Sequence, residues 1–184
     1  MLKVSENPPM IWPENRPLED FTGVWWVAHT KSRNEKALAW QLQRRNIQYF
    51  LPMAVKVSRR KGRTYRPLFP LFSGYVFFCA VEDAERLHVL TTNRVANLIE
   101  VHDKEQFVAE LSAIEKVLRL GQPLLPHKYL KCGQMYRMTG GPLMGIEGQL
   151  TRIDNAARLI LKVDMLGQAV SVSIDADMVE PAQD

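Results

Sequence analysis

Cysteine is scarce in this chain. Cys79 and Cys132 are the only two in 184 residues, and their isolation excludes a disulfide framework or a clustered zinc site. Long apolar runs are missing as well: nothing approaches the ~18 residues a membrane helix needs. The N-terminus lacks a charged-then-apolar signal sequence and carries Pro8, Pro9, Pro13 and Pro17 instead. A cytoplasmic protein without a membrane partner is therefore expected. His29, His88, His102 and His127 are scattered, and no phosphate loop, paired acids or nucleophile elbow marks a reaction centre. Neither an enzyme nor a cofactor or metal is expected.

Acid is missing from one long stretch. From Lys36 to Val81 there are nine Lys/Arg and no Asp or Glu, whereas Cys132 to Asp184 holds four Lys/Arg against seven acids. Local balances of +9 and −3 point to two modules with different partners, the first facing a polyanion. Six of the basic residues lie between Lys56 and Arg66, immediately before the aromatic run Pro70-Leu71-Phe72-Ser73-Gly74-Tyr75-Val76-Phe77-Phe78. That run reads equally as a buried central strand behind a solvated loop and as a docking surface.

Residues 1–22 read as a mostly disordered leader, anchored by Trp12. Val24 to His29 reads as a buried strand. Ser32 and Glu35 have capping-box spacing, Leu38 and Leu42 share a helical face, and Asn46 suits the helix end. A strand from Ile47 to Val57 is bent or at an edge, because Pro52 removes an amide donor. Lys61-Gly62 marks a hairpin tip, and Gly74–Ala80 forms the aromatic strand. Asp83 to Leu90 is a short helix, Val95 to Val101 a strand. Asp103 and Gln106 have capping-box spacing again, before Phe107, Leu111, Ile114 and Leu118 at helical period, ended by Gly121. The order β-α-β-β-α-β-α implies an antiparallel sheet with packed helices, an α+β fold. Residues 122–131, with Pro123 and Pro126, read as a linker. Four or five short strands beyond it suggest a small closed or nearly closed barrel.

Together these segments resemble the NusG family of transcription elongation factors over roughly 23–181. Trp25-Trp26-Val27, Leu51-Pro52, the basic hairpin, Ser73-Gly74-Tyr75-Val76-Phe77 and Asn93-Arg94-Val95 resemble the family's NGN domain. Gly133-Gln134, Arg137, Gly141-Pro142-Leu143, Gly145-Ile146, Gly148 and Leu166-Gly167 resemble a KOW domain. Arg59-Arg60-Lys61-Gly62-Arg63 and Pro67-Leu68-Phe69-Pro70 resemble the specialised RfaH-like paralogues more than the housekeeping factor. One departure stands out: the usual Pro-Gly-Tyr is Ser73-Gly74-Tyr75, without the proline's fixed φ. The resemblance implies a ferredoxin-like NGN domain over 23–121 and an SH3-like KOW barrel over 132–181.

It further implies a monomeric transcription elongation and antitermination factor that suppresses pausing or termination. Its NGN domain would bind the clamp helices of RNA polymerase's largest subunit, with Trp25, Phe72, Tyr75 and Ile99 in or near the apolar patch. Thr91 and Thr92 would lie near the opposite polymerase wall, although helix termination explains them equally well. Lys31 and Arg33 match positions that meet non-template DNA. With Arg59, Arg60, Lys61, Arg63 and Arg66 they could supply phosphate contacts that position a strand rather than read its bases. The loop with Met165, Leu166 and Gly167 would recruit a small-subunit ribosomal protein or Rho. RfaH can refold its KOW domain into a helical hairpin, but Gly140, Gly141, Pro142, Gly145 and Gly148 disfavour helix, so a stable barrel is expected. The alternative is a KOW-type RNA-binding or ribosome-associated protein.

Overall fold

A computed structural model describes residues 6–55, 58–60, 63–127, 133–153 and 156–182, with backbone alone at 58–60, 63, 65 and 153. The chain forms two compact units that divide between Lys104 and Glu105.

The first unit is built on a five-stranded antiparallel sheet in the order β1 (Ile11–Trp12), β3 (Gln48–Phe50), β8 (Tyr75–Ala80), β2 (Val24–Thr30), β9 (Val95–Glu100). One sheet face meets the helices α1 (Glu35–Arg44) and α2 (Asp83–Thr91). Ala28, Tyr49, Val76 and Phe78 pack there with Leu38, Ala39 and Leu42 of α1 and Val89 of α2. Removing Leu38 and Leu42 from water contributes roughly 1.5–3 kcal/mol each. Helix α1 ends where Asn46 turns left-handed at φ 57°, and Ile47 N bonds back to Leu42 O at 3.0 Å. Leu51-Pro52 breaks the following strand into β3 and β4 (Met53–Val55), and β4 pairs with β7 (Leu68–Pro70). Between them β5 (Ser58–Arg60) and β6 (Arg63–Tyr65) form a separate ladder with Arg60 opposite Arg63. The expected hairpin tip, Lys61-Gly62, lies outside the described residues.

Three expectations need correction here. Residues 6–22 are part of the fold, not a disordered leader. Proline lacks an amide donor but keeps its carbonyl: Pro9 O accepts from Tyr49 Oη at 3.0 Å and Met10 O from Leu51 N at 2.6 Å. Trp12 Nε1 also donates to Asn46 Oδ1 at 3.1 Å, and Leu18 and Phe21 are buried. Ser32 and Glu35 do not make a capping box. The helix begins at Glu35 after Asn34, no side chain caps it, and the Glu35 carboxylate is engaged elsewhere. A reciprocal box does cap α2, where Glu82 and Glu85 exchange bonds with each other's backbone; glutamate is an unusual first partner, which hid the pattern. Lastly, 122–131 is not all linker. Leu125–His127 is a strand, β10, and 128–131 lies outside the described residues.

The second unit holds α3 (Lys104–Arg119) from Glu105 onward and a six-stranded antiparallel sheet. Its order is β10, β14 (Gln168–Ser173), β13 (Ala156–Val163), β12 (Glu147–Ile153), β11 (Met135–Met138), β15 (Val179–Pro181). Leu159, Leu161, Val163, Val170 and Val172 are each 2% exposed or less. The described part of this region is therefore β-sheet, not a helical hairpin, and the mixed α+β sheet followed by a small β domain agrees with the sequence reading. At both ends of the ladder the short strands, β10 and β15, went unread because three residues carry no visible period.

Candidate functional site

The face of the first sheet opposite α1 brings several of the expected docking residues together. Cross-strand partners set Trp25 opposite Cys79, Val27 opposite both Phe77 and Ile99, and His29 opposite both Tyr75 and Asn97. Partners share a sheet face, so Trp25, Tyr75 and Ile99 lie on one surface. Phe72 joins it with its ring edge on Phe77 at 5.7 Å. Exposure then separates them. Trp25 and Phe72 are each 1% exposed, and Trp25 is stacked on Phe21 at 5.4 Å between centroids. Side chains so enclosed underlie the surface rather than form it in this conformation. Tyr75 and Ile99 are half-buried. The exposed His29, which sequence reasoning passed over, stacks on Tyr75 at 5.1 Å.

A tight turn delivers Tyr75 to this position. Tyr75 N donates to Phe72 O at 3.1 Å, and Gly74 sits at φ +86°, a conformation that favours glycine. Gly74 is tied on both sides: its amide donates to Glu35 Oε1 at 2.7 Å, and its carbonyl accepts from Thr30 N at 2.7 Å. Glu35 is 7% exposed. Its capping-box spacing concealed this tertiary role.

Basic residues gather at the same end of the sheet, where β2 stops and β9 starts. Lys31 N donates to Arg94 O at 2.7 Å and Lys31 Nζ to Asn93 Oδ1 at 2.6 Å. Arg94 reaches Asn34 Oδ1 at 2.8 Å. Arg33 and Asn93 both turn left-handed, at φ 59° and 58°, and both are exposed. Lys31 and Arg33 are thus joined by Arg94, a cation the sequence reading matched only as a family motif. Lys36 is committed to Asn7 Oδ1 and Leu68 O, and burial lowers its pKa. Arg66 is exposed; Arg59 and Arg60 lie on β5 and Arg63 on β6, described as backbone only, while Lys61 lies outside the described residues. Thr91 and Thr92 finish α2: their hydroxyls donate to His88 O and Val89 O at 2.8 and 2.7 Å.

In the second unit a 3-10 turn, Asp164–Leu166, links β13 to β14 and ends on Gly167 at φ 59°. Met165 and Gly167 are exposed and Leu166 is half-buried. The turn is fastened to α3. Gln106 Nε2 donates to Asp164 Oδ2 and to Glu110 Oε1, both at 3.0 Å, and Asp164 N donates to Glu110 Oε2 at 3.1 Å. Lys162 Nζ completes the cluster on Asp164 Oδ2 at 2.8 Å. Burial raises the pKa of Glu110, with Asp164 adding to the effect and the hydrogen bonds from Gln106 and Asp164 opposing it. Among the described residues no group of three His, Cys, Asp or Glu could hold a metal ion, and no helix is long and apolar enough to cross a membrane.

Residues 23–117, more than half of the chain, match the family model described as "Transcription termination factor nusG". No curated protein matches. A solved structure described as "Crystal Structure of MjSpt4:Spt5 complex conformation B" is similar over 87% of this chain and 97% of its own. Its identity is 14% and its TM-score 0.27, values at which the likeness adds no weight.

Proposed function

Because the chain belongs to the NusG family of transcription factors, we propose that it is an RfaH-like elongation and antitermination factor that rides on RNA polymerase. The first unit docks on the clamp helices of the largest subunit, suppressing pausing or termination without chemistry of its own. One observation carries this reading: His29, Tyr75 and Ile99 share the sheet face opposite α1, above a rigid aromatic floor that includes Trp25 and Phe72. Partly exposed aromatics on such a floor give large contact area with little ordering cost. Non-template DNA passes Lys31 and Arg33, with Arg59, Arg60, Lys61, Arg63 and Arg66 of the hairpin region adding phosphate contacts. Thr91 and Thr92, which terminate α2, lie near the opposite polymerase wall. The second unit recruits a ribosomal small-subunit protein or Rho through Met165, Leu166 and Gly167.

Retention on immobilised core RNA polymerase tests the docking. The wild-type chain is expected to be retained. Tyr75→Ala and Ile99→Ala are each expected to weaken binding about tenfold, the effect of losing about 1.4 kcal/mol, with unchanged circular dichroism. No retention, or variants that bind like wild type, would overturn the assignment.

A further inference from the structure

We propose that Glu35 is a positioning residue for docking: its carboxylate holds the Phe72–Tyr75 turn in the geometry that aims Tyr75 at the partner. This rests on the polymerase reading above. A turn whose third residue lies near φ +80° and whose fourth amide bonds the first carbonyl is type II, and proline is favoured at its second position. Gly74 at φ +86° and the Tyr75 N to Phe72 O bond meet those conditions. The second position is Ser73, which leaves φ unlocked. In this chain the restraint comes from across the fold.

Glu35 opens α1, where a negative charge is favoured by the helix dipole. It is buried, and a buried carboxylate needs charge-assisted partners. The Gly74 amide supplies one at 2.7 Å. Gly74 then cannot swing: its amide is held by α1 and its carbonyl by Thr30 N, one residue from His29. The next residue along is Tyr75, whose ring lies on the His29 ring. One buried carboxylate therefore links the start of α1, the turn and the stacked pair.

Four full-length variants test the assignment: Glu35→Ala, Glu35→Gln, Ser73→Pro, and Glu35→Ala with Ser73→Pro. Glu35→Ala is expected to weaken polymerase binding about tenfold and to speed hydrogen exchange at the Gly74 amide. Glu35→Gln keeps an acceptor oxygen and is expected to stay within about threefold of wild type. Proline at 73 should recover most of the loss in the double variant, because it fixes φ without the carboxylate. Wild-type binding by Glu35→Ala with its Gly74 amide released would overturn the proposal, as would a double variant no tighter than Glu35→Ala. Should Glu35→Ala fail to fold, Glu35→Asp, whose carboxylate is one methylene shorter, takes its place alone and with Ser73→Pro: weaker binding recovered by the proline supports the proposal, and wild-type binding with the Gly74 amide released overturns it. Absence of wild-type retention would instead condemn the polymerase reading. In that case the Tyr75 ring resonances still decide: they should shift in Glu35→Ala and return in the double variant, and unshifted resonances overturn the role of Glu35.

Discussion

At Gly148 the backbone of β12 passes so close to β13 that a Cβ would lie 2.5 Å from Ile160 O and 2.9 Å from Leu159 Cγ. The carbonyl belongs to β13, which is paired on both sides and has little room to retreat. Gly148→Ala is therefore expected to destabilise the second unit by roughly 1–3 kcal/mol, read as a lower denaturation midpoint with circular dichroism reporting the loss of β-sheet; an unchanged midpoint would refute the close approach. Trp25 and Phe72 show the complementary limit of reading single residues. Their size and apolarity announced importance, but hydrophobicity has no sign that distinguishes a core ring from a docking ring. Burial separates them from Tyr75 and Ile99, because Phe21 stacks on Trp25 and Phe77 meets Phe72.

Local periodicity made some elements plain. The spacing of Phe107, Leu111 and Ile114 announced α3, and all three are buried. The aromatic strand and the bend at Pro52 were equally visible, since each follows from a short-range rule. Glu35, Arg94 and the 6–22 segment were hidden because their partners lie far along the chain: Gly74, Asn34 and the β3 backbone. The clasp between α3 and the β13–β14 turn was hidden for the same reason, and it gives the pH prediction at this scale. Burial raises the Glu110 pKa above its ordinary 4.5, so the folded state favours the protonated acid. The contribution of this group to stability is greatest below the unfolded value and falls as pH rises through the folded one. Glu110→Gln, which stays neutral, should lack that fall. Denaturation midpoints followed upward from about pH 4 should decline more steeply for wild type than for the variant, whereas parallel curves would show that Glu110 is not the titrating group.

Charge is distributed unevenly along the chain. The acid-free stretch from Lys36 to Val81 belongs to the first unit, and the acidic balance beyond Cys132 belongs to the second. If the hairpin meets DNA, Arg59/Arg60/Lys61→Ala should weaken binding to elongation complexes and flatten its dependence on salt. Three lost phosphate contacts with a single strand reduce the slope of log K against log salt by about 2; equal slopes would take the hairpin off the DNA. In the function proposed, docking at the His29–Tyr75 face and basic contacts at the same end of the sheet would let the protein act on a moving polymerase. Single-round transcription through a pause site and a terminator, with purified RNA polymerase and the full chain at saturation, measures that directly. The expected result is shorter pauses and more read-through than polymerase alone, lost together in Tyr75→Ala. Pausing and termination unchanged while the protein remains bound to the polymerase would contradict it.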